Sequence, residues 1–141
     1  MFYGQYNHNI DKKGRMFVPA KFREELGEKF ILCKGIEGKE CLCVYPLDEW
    51  NKLDEKIKTL PTIQAGKVIR FLYAGATELE CDAQGRMLVP QILRDFASLE
   101  GDTAIIGMST HLEIWNGERY EQETKESTPE SIAELLGDLN F

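Results

Sequence analysis

The sequence predicts an α+β fold built from two tandem copies of one β-turn-β-α-β-β unit. Three observations carry this. Residues 11–24 read DKKGRMFVPAKFRE and residues 82–95 read DAQGRMLVPQILRD, with seven identical positions at an offset of 71. The likeness continues at an offset of 70, where CLCVYPLDEW (41–50) aligns with HLEIWNGERY (111–120). The composition is globular: of the 141 residues, 43% are hydrophobic, 29% charged and 10% aromatic, which excludes disordered and collagen-like chains. Two copies are too few for a solenoid, so packing about a pseudo-two-fold axis is the expected arrangement.

The elements of the first copy follow in order. Phe2 to Ile10 is aromatic-rich and strand-like. Asp11-Lys12-Lys13-Gly14 is a turn, because Asp accepts from amides further along and Gly tolerates positive φ. Arg15 to Val18 is a short strand with Met16 and Val18 on one face, and Arg15 and Phe17 on the other. Pro19 suits the first position of a helix and Gly27 its end, with Phe22 and Leu26 as an i, i+4 apolar stripe. Lys29–Lys34 and Cys41–Tyr45 read as two more strands. A helical pair follows: Trp50, Leu53, Ile57 and Leu60 at spacings 3, 4, 3, then, past Pro61, Ala65, Val68, Ile69 and Leu72. The tail opens with Thr128 as N-cap and Pro129 at the first helical position. Its stripe of Ile132, Leu135, Leu136 and Leu139 either covers the core or buries against a neighbouring subunit. The chain so divides into repeat 1 (1–52), a helical connector (53–76), repeat 2 (77–122) and an acidic helical tail (123–141).

Net charge is −7, which by itself argues against a nucleic-acid partner. The halves differ, however. Residues 1–70 carry 13 Lys/Arg against 10 Asp/Glu, and residues 71–141 carry 4 against 14. Between residues 11 and 23 the local charge is +4, from Lys12, Lys13, Arg15, Lys21 and Arg23 against Asp11. Such a hairpin tip offers flexible Lys for phosphates and a planar Arg fork for guanine edges. The equivalent tip of the second copy is Ala83-Gln84, and residues 82–94 sum to +1. Neither a signal peptide nor a bilayer-length apolar run is read, so the expected location is cytoplasmic, with no membrane partner.

Two copies of D-x-x-G-R-M-[FL]-V-P-x-x-[FL]-R, with a tryptophan helix after the first, closely resemble the MraZ family of the SpoVT–AbrB superfamily. The resemblance runs to about Gln122. It implies a swapped-hairpin, double-split β-barrel and a nucleoid-associated bacterial transcriptional regulator, usually a repressor, of the division and cell-wall gene cluster. It also implies a ring-shaped homo-oligomer that binds short direct repeats in double-stranded DNA. The family's D-x-x-x-R signature falls on Asp11/Arg15 and Asp82/Arg86. Arg15 and Arg86 are then the principal DNA contacts, Lys12 and Lys13 phosphate contacts, and Lys21 a weaker one. Asp11, Gly14, Asp82 and Gly85 would shape the turns and orient the arginines. Arg23 and Arg94, inside the helices, are expected to pair with nearby acids.

Other functions are less well supported. No phosphate loop, HExxH or GxSxG motif is present, so no enzyme, cofactor or small-molecule substrate is expected. Cys33, Cys41, Cys43 and Cys81 contain no CxxC pair. Cys41 and Cys43 share a strand face, but with only His8 and His111 counted as further ligands they read as buried thiols and not as a metal site. An antitoxin-like protein of the same superfamily, binding DNA and a partner protein, is the alternative. Such modules usually carry one barrel copy and a disordered tail, whereas this chain carries two copies and a tail that reads as helical.

Overall fold

The computed structural model describes residues 1–139; Asn140 and Phe141, the end of the expected tail, lie outside the described residues. The first repeat forms β1 (Gln5–Ile10), β2 (Arg15–Phe17), α1 (Ala20–Leu26), β3 (Phe30–Lys34) and β4 (Leu42–Pro46). Helices α2 (Leu47–Ile57) and α3 (Thr62–Tyr73) follow. The second repeat forms β5 (Thr77–Leu79), β6 (Arg86–Leu88), α4 (Gln91–Ala97), β7 (Gly101–Gly107) and β8 (Leu112–Asn116). Then come α5 (Gly117–Thr124), α6 (Pro129–Leu136) and a 3-10 turn, Gly137–Leu139. The α+β class and the doubled unit are as the sequence predicts. Some boundaries move. Pro19 and Pro90 cap their helices from outside, both extended, instead of opening the first turn. Residue 52 falls within α2, which stops at Ile57 and leaves Leu60 exposed.

The two repeats exchange strands. The main sheet has the order β1-β7-β8-β4-β3-β5, antiparallel throughout, and β2 pairs with β6 in a separate ribbon. Among the described residues, only the β3–β4 and β7–β8 pairings lie within one copy. β1 pairs with β7 of the second copy, and β5 returns the exchange by pairing with β3 of the first. The register has pseudo-two-fold symmetry: Met16 stands opposite Met87, its counterpart in the repeat, and Cys43 opposite Glu113. Neither copy therefore completes its sheet alone.

Burial follows the pattern of the residues. β1 alternates, with Tyr6, His8 and Ile10 turned in and Gln5, Asn7 and Asn9 out. β3 and β4 are continuous apolar runs because both of their faces are covered. On one face Phe22 and Leu26 of α1 and Leu93 and Ala97 of α4 pack on Phe30, Leu32, Leu42, Val44, Ile105 and Ile114. On the other, Trp50, Leu53 and Ile57 of α2 with Val68, Ile69 and Leu72 of α3 cover Cys33, Cys43 and Tyr45. Trp115 and Tyr120 close over Cys41 and Ala104 beside them. Thr128 caps α6 through a capping box with Ser131, and Pro129 sits inside the helix start, as the sequence predicts. The α6 stripe is left open in this chain: Ile132, Leu135, Leu136 and Leu139 are all exposed. No described helix is long and apolar enough to cross a membrane.

Candidate nucleic-acid interface

The site is the β2–β6 ribbon and the two turns that feed it. Period-2 alternation sends Met16 and Met87 into the core, where each is 1% exposed. It leaves Arg15, Phe17, Arg86 and Leu88 on the outer face. Arg15 is paired across the ribbon with Leu88, and Phe17 with Arg86. The two guanidinium groups therefore sit diagonally about the pseudo-axis, each beside an exposed apolar side chain. Phe17 is 49% and Leu88 53% exposed, so the outer face presents an apolar side chain beside each arginine.

Each turn is held by its aspartate. Asp11 Oδ1 accepts from the amides of Lys13 and Arg15, both at 2.9 Å, and Oδ2 accepts from Arg15 Nε at 2.9 Å. Asp82 repeats this, with amide bonds from Gln84 and Arg86 at 2.9 Å and Arg86 Nε at 3.0 Å. The carboxylate thus fixes the turn through the backbone and aims the arginine through its Nε. These hydrogen bonds hold both carboxyls below their ordinary value of 3.8, the Arg15 and Arg86 amides contributing most. A depressed carboxyl pKa stabilises the fold above the ordinary value, and that contribution is lost as pH falls through the folded-state value. We expect Asp11→Asn/Asp82→Asn to flatten the acid limb of a stability titration below about pH 4. An acid limb identical to that of the parent protein would show that the turns carry no such linkage.

The turn glycines are required by geometry. Gly14 has φ +89° and Gly85 φ +80°, the left-handed region. Each is also crossed by the other repeat. The Val89 amide donates to the Gly14 carbonyl at 2.7 Å, and the Val18 amide to the Gly85 carbonyl at 3.0 Å. Arg94 crosses over the first turn, its Nε donating to the Val89 carbonyl at 3.0 Å and its Nη1 to the Lys12 carbonyl at 3.3 Å. Arg23 lies over Gly85 in the same way, with its Nε buried and unpartnered among the described residues. The expectation that Arg23 and Arg94 pair with nearby acids is therefore corrected. The exchange of strands sets each helix arginine against the opposite turn's backbone, where carbonyls are the acceptors on hand. Self-similarity within one chain carries no signal for this crossing.

The remaining basic residues divide. Lys12 and Lys13 are exposed at the tip of the first turn, and neither has a salt-bridge partner among the described residues. Ala83 and Gln84 take their place on the second. Lys21 is exposed on α1, with Nζ 3.4 Å from the centre of the Tyr3 ring. Asp11, Gly14, Arg15, Asp82, Gly85 and Arg86 are thus brought together on the β2–β6 ribbon and its two turns, with Lys12 and Lys13 beside them.

A second cluster lies at the β4–β8 pairing of the main sheet. Cys41, Cys43 and Glu113 are set so that their sulfur and carboxylate atoms all lie within 4.8 Å of one another. Alternation along the strand puts the two thiols on one face, and neither His8 nor His111 joins them in this group. Glu113 carries no signal in the sequence for this role, because it comes from the other repeat and stands beside Cys43 through the β4–β8 pairing. Burial pushes the Cys33 thiol up to about 12, and a hydrogen bond with Cys41, then burial, raises Cys43, so neither is a reactive nucleophile.

Comparison with known proteins agrees with this architecture. A family model described as "MraZ protein, putative antitoxin-like" matches residues 1–67 and 72–136. The chain is 51% identical to "Transcriptional regulator MraZ" of Caldanaerobacter subterraneus subsp. tengcongensis over 145 residues, covering 100% of both chains. It is 51% identical to the protein of the same name from Thermoanaerobacter sp. and 48% identical to that of Acetivibrio thermocellus, each over the full length of both chains. With the doubled turn, the strand exchange and full-length relatives at about half identity, this chain belongs to the MraZ family.

Proposed function

We propose that the chain is a sequence-specific DNA-binding regulator of transcription, and that its β2–β6 ribbon enters the major groove. The observation that carries this reading is the outer face of the ribbon, where Arg15 and Arg86 are aimed by Asp11 and Asp82 about a pseudo-two-fold axis. B-DNA's major groove is wide enough for a two-stranded ribbon, and an arginine fork matches the O6 and N7 of guanine. Phe17 and Leu88 beside the arginines suit the methyl groups of thymine. Lys12 and Lys13 add phosphate contacts on one side, with Lys21 contributing less. The names of the relatives, all regulators of transcription, support a non-enzymatic role.

In the same reading the protein works as a ring of several copies on short direct repeats upstream of the bacterial division and cell-wall gene cluster, and represses it. One ribbon makes few phosphate contacts, so a single protomer binds weakly; tandem repeats let several ribbons engage at once and raise avidity through effective concentration. The uncovered apolar stripe of α6 supports assembly, because an eight-residue helix without partners is marginal in water. Its capped, helical form also favours the regulator over an antitoxin with an extended partner-binding tail. The location that follows is the cytoplasm, on the nucleoid.

Salt dependence tests the reading. Each phosphate contact contributes about 0.9 to the slope of log affinity against log salt. On a promoter fragment carrying direct repeats, Lys12→Ala/Lys13→Ala should lower that slope by about 2 for each engaged protomer. Ala83→Ser/Gln84→Ser should leave it unchanged. Equal slopes for both double variants would contradict the dominance of the first turn.

A further inference from the structure

We propose that Cys41, Cys43 and Glu113 form a zinc site that joins the central strands of the two repeats. The thiols come from the first repeat and the carboxylate from the second, and their ligand atoms all lie within 4.8 Å of one another, close to the spacing a four-coordinate ion needs. Cys33 stands directly opposite Cys43 on β3, so a third thiol borders the group.

Two further observations single out this cluster. Glu113 is 9% exposed, in the middle of an otherwise apolar sheet face. Its hydrogen bond is with Trp115, whose Nε1 donates to Oε1 at 2.9 Å, and a carboxylate has acceptor capacity for several more. Burying a carboxylate is costly unless it is hydrogen-bonded, neutralised by a proton or faced by a cation. The second observation concerns Gly35. A side chain there would place its Cβ 2.8 Å from Cys41 Sγ and 3.0 Å from the Cys41 carbonyl oxygen. The glycine leaves the room that the sulfur occupies.

The donor set chooses the ion. Two sulfurs and one carboxylate oxygen mix soft and hard ligands, which suits zinc or cobalt better than copper(I) or magnesium. Binding deprotonates Cys41 and Cys43, releasing two protons to solvent, or three where Cys33 is the fourth ligand, while Glu113 binds as its carboxylate. The bound ion then carries two thiolates and one carboxylate, with Cys33 or water in the fourth position. Because β4 and β8 belong to different repeats, the ion would fasten the strand pair on the pseudo-axis.

The full-length protein, reduced and stripped with a chelator, is titrated with Co2+ and with Zn2+ separately. We expect one equivalent of Co2+ per chain, with a sulfur-to-cobalt charge-transfer band in the near ultraviolet, and a rise in Tm with Zn2+. Glu113→Gln keeps an acceptor for Trp115 and should fold; it should lose at least the 10–100-fold in affinity that removal of an outer partner costs. Cys43→Ala should lose the charge-transfer intensity of one thiolate. Cys81→Ala, at a half-buried thiol outside the cluster, should bind like the parent protein. Binding well below one equivalent, unchanged affinity in Glu113→Gln, or an equal loss in Cys81→Ala would each overturn the proposal.

Discussion

Arg15→Ala/Arg86→Ala should lower affinity for a promoter fragment by at least about 25-fold in a gel-shift, with an unchanged circular dichroism spectrum. One bidentate arginine–guanine pair is worth about 1–3 kcal/mol of discrimination. Loss of two such pairs costs about 2–6 kcal/mol per ribbon, and each 1.4 kcal/mol is a factor of about ten in affinity. A ring multiplies the loss, since avidity depends on every ribbon it engages. The turns should survive, because Asp11 and Asp82 keep their amide bonds from Lys13 and residue 15, and from Gln84 and residue 86, after the guanidinium groups are gone. Retained affinity in this variant would mean that the ribbon is not the DNA-binding face.

Gly14→Ala should destabilise the protein more than Gly85→Ala, although the two glycines are repeat counterparts. Both substitutions force a residue with a Cβ into positive φ, at about 1–2 kcal/mol. They differ in what the new Cβ meets. At Gly14 it would lie 2.6 Å from the Val89 carbonyl oxygen, which is backbone held by the ribbon. At Gly85 its nearest neighbour is Arg23 Nη1, the end of a side chain that can swing away. We expect a loss of about 2–4 kcal/mol for Gly14→Ala and about 1–2 kcal/mol for Gly85→Ala, measured by denaturant unfolding. An equal loss, or the reverse order, would contradict this account of the crossing.

Local chemistry made much of the fold legible in the sequence. The Asp and Gly of each turn, the helix between Pro19 and Gly27, and the cap at Thr128 depend on neighbours a few residues away, so their residue types announce them. The offsets of 71 and 70 disclosed two equivalent units. They could not disclose which surfaces of those units meet. Pairing of β1 with β7 links Gln5 to Ile106, and neither sequence names the other. The crossing of Arg23 and Arg94 and the approach of Glu113 to the cysteines follow from that exchange, so they were illegible for the same reason. Of the candidate site, Asp11, Arg15, Asp82 and Arg86 were readable because each turn encodes its own aspartate–arginine pair. The diagonal placement of Arg15 and Arg86 on one ribbon was not, because it needs the register of β2 against β6.

The most direct test of the ribbon's role is photo-crosslinking from its outer face. A photoreactive residue placed at Phe17 or Leu88, both exposed beside the arginines, is compared with one at Thr59, exposed between α2 and α3. The groove-bound ribbon should give crosslinks to bases of the direct repeats from residues 17 and 88 and none from residue 59. Crosslinks from residue 59 with none from 17 or 88 would place the duplex on another face and contradict the account.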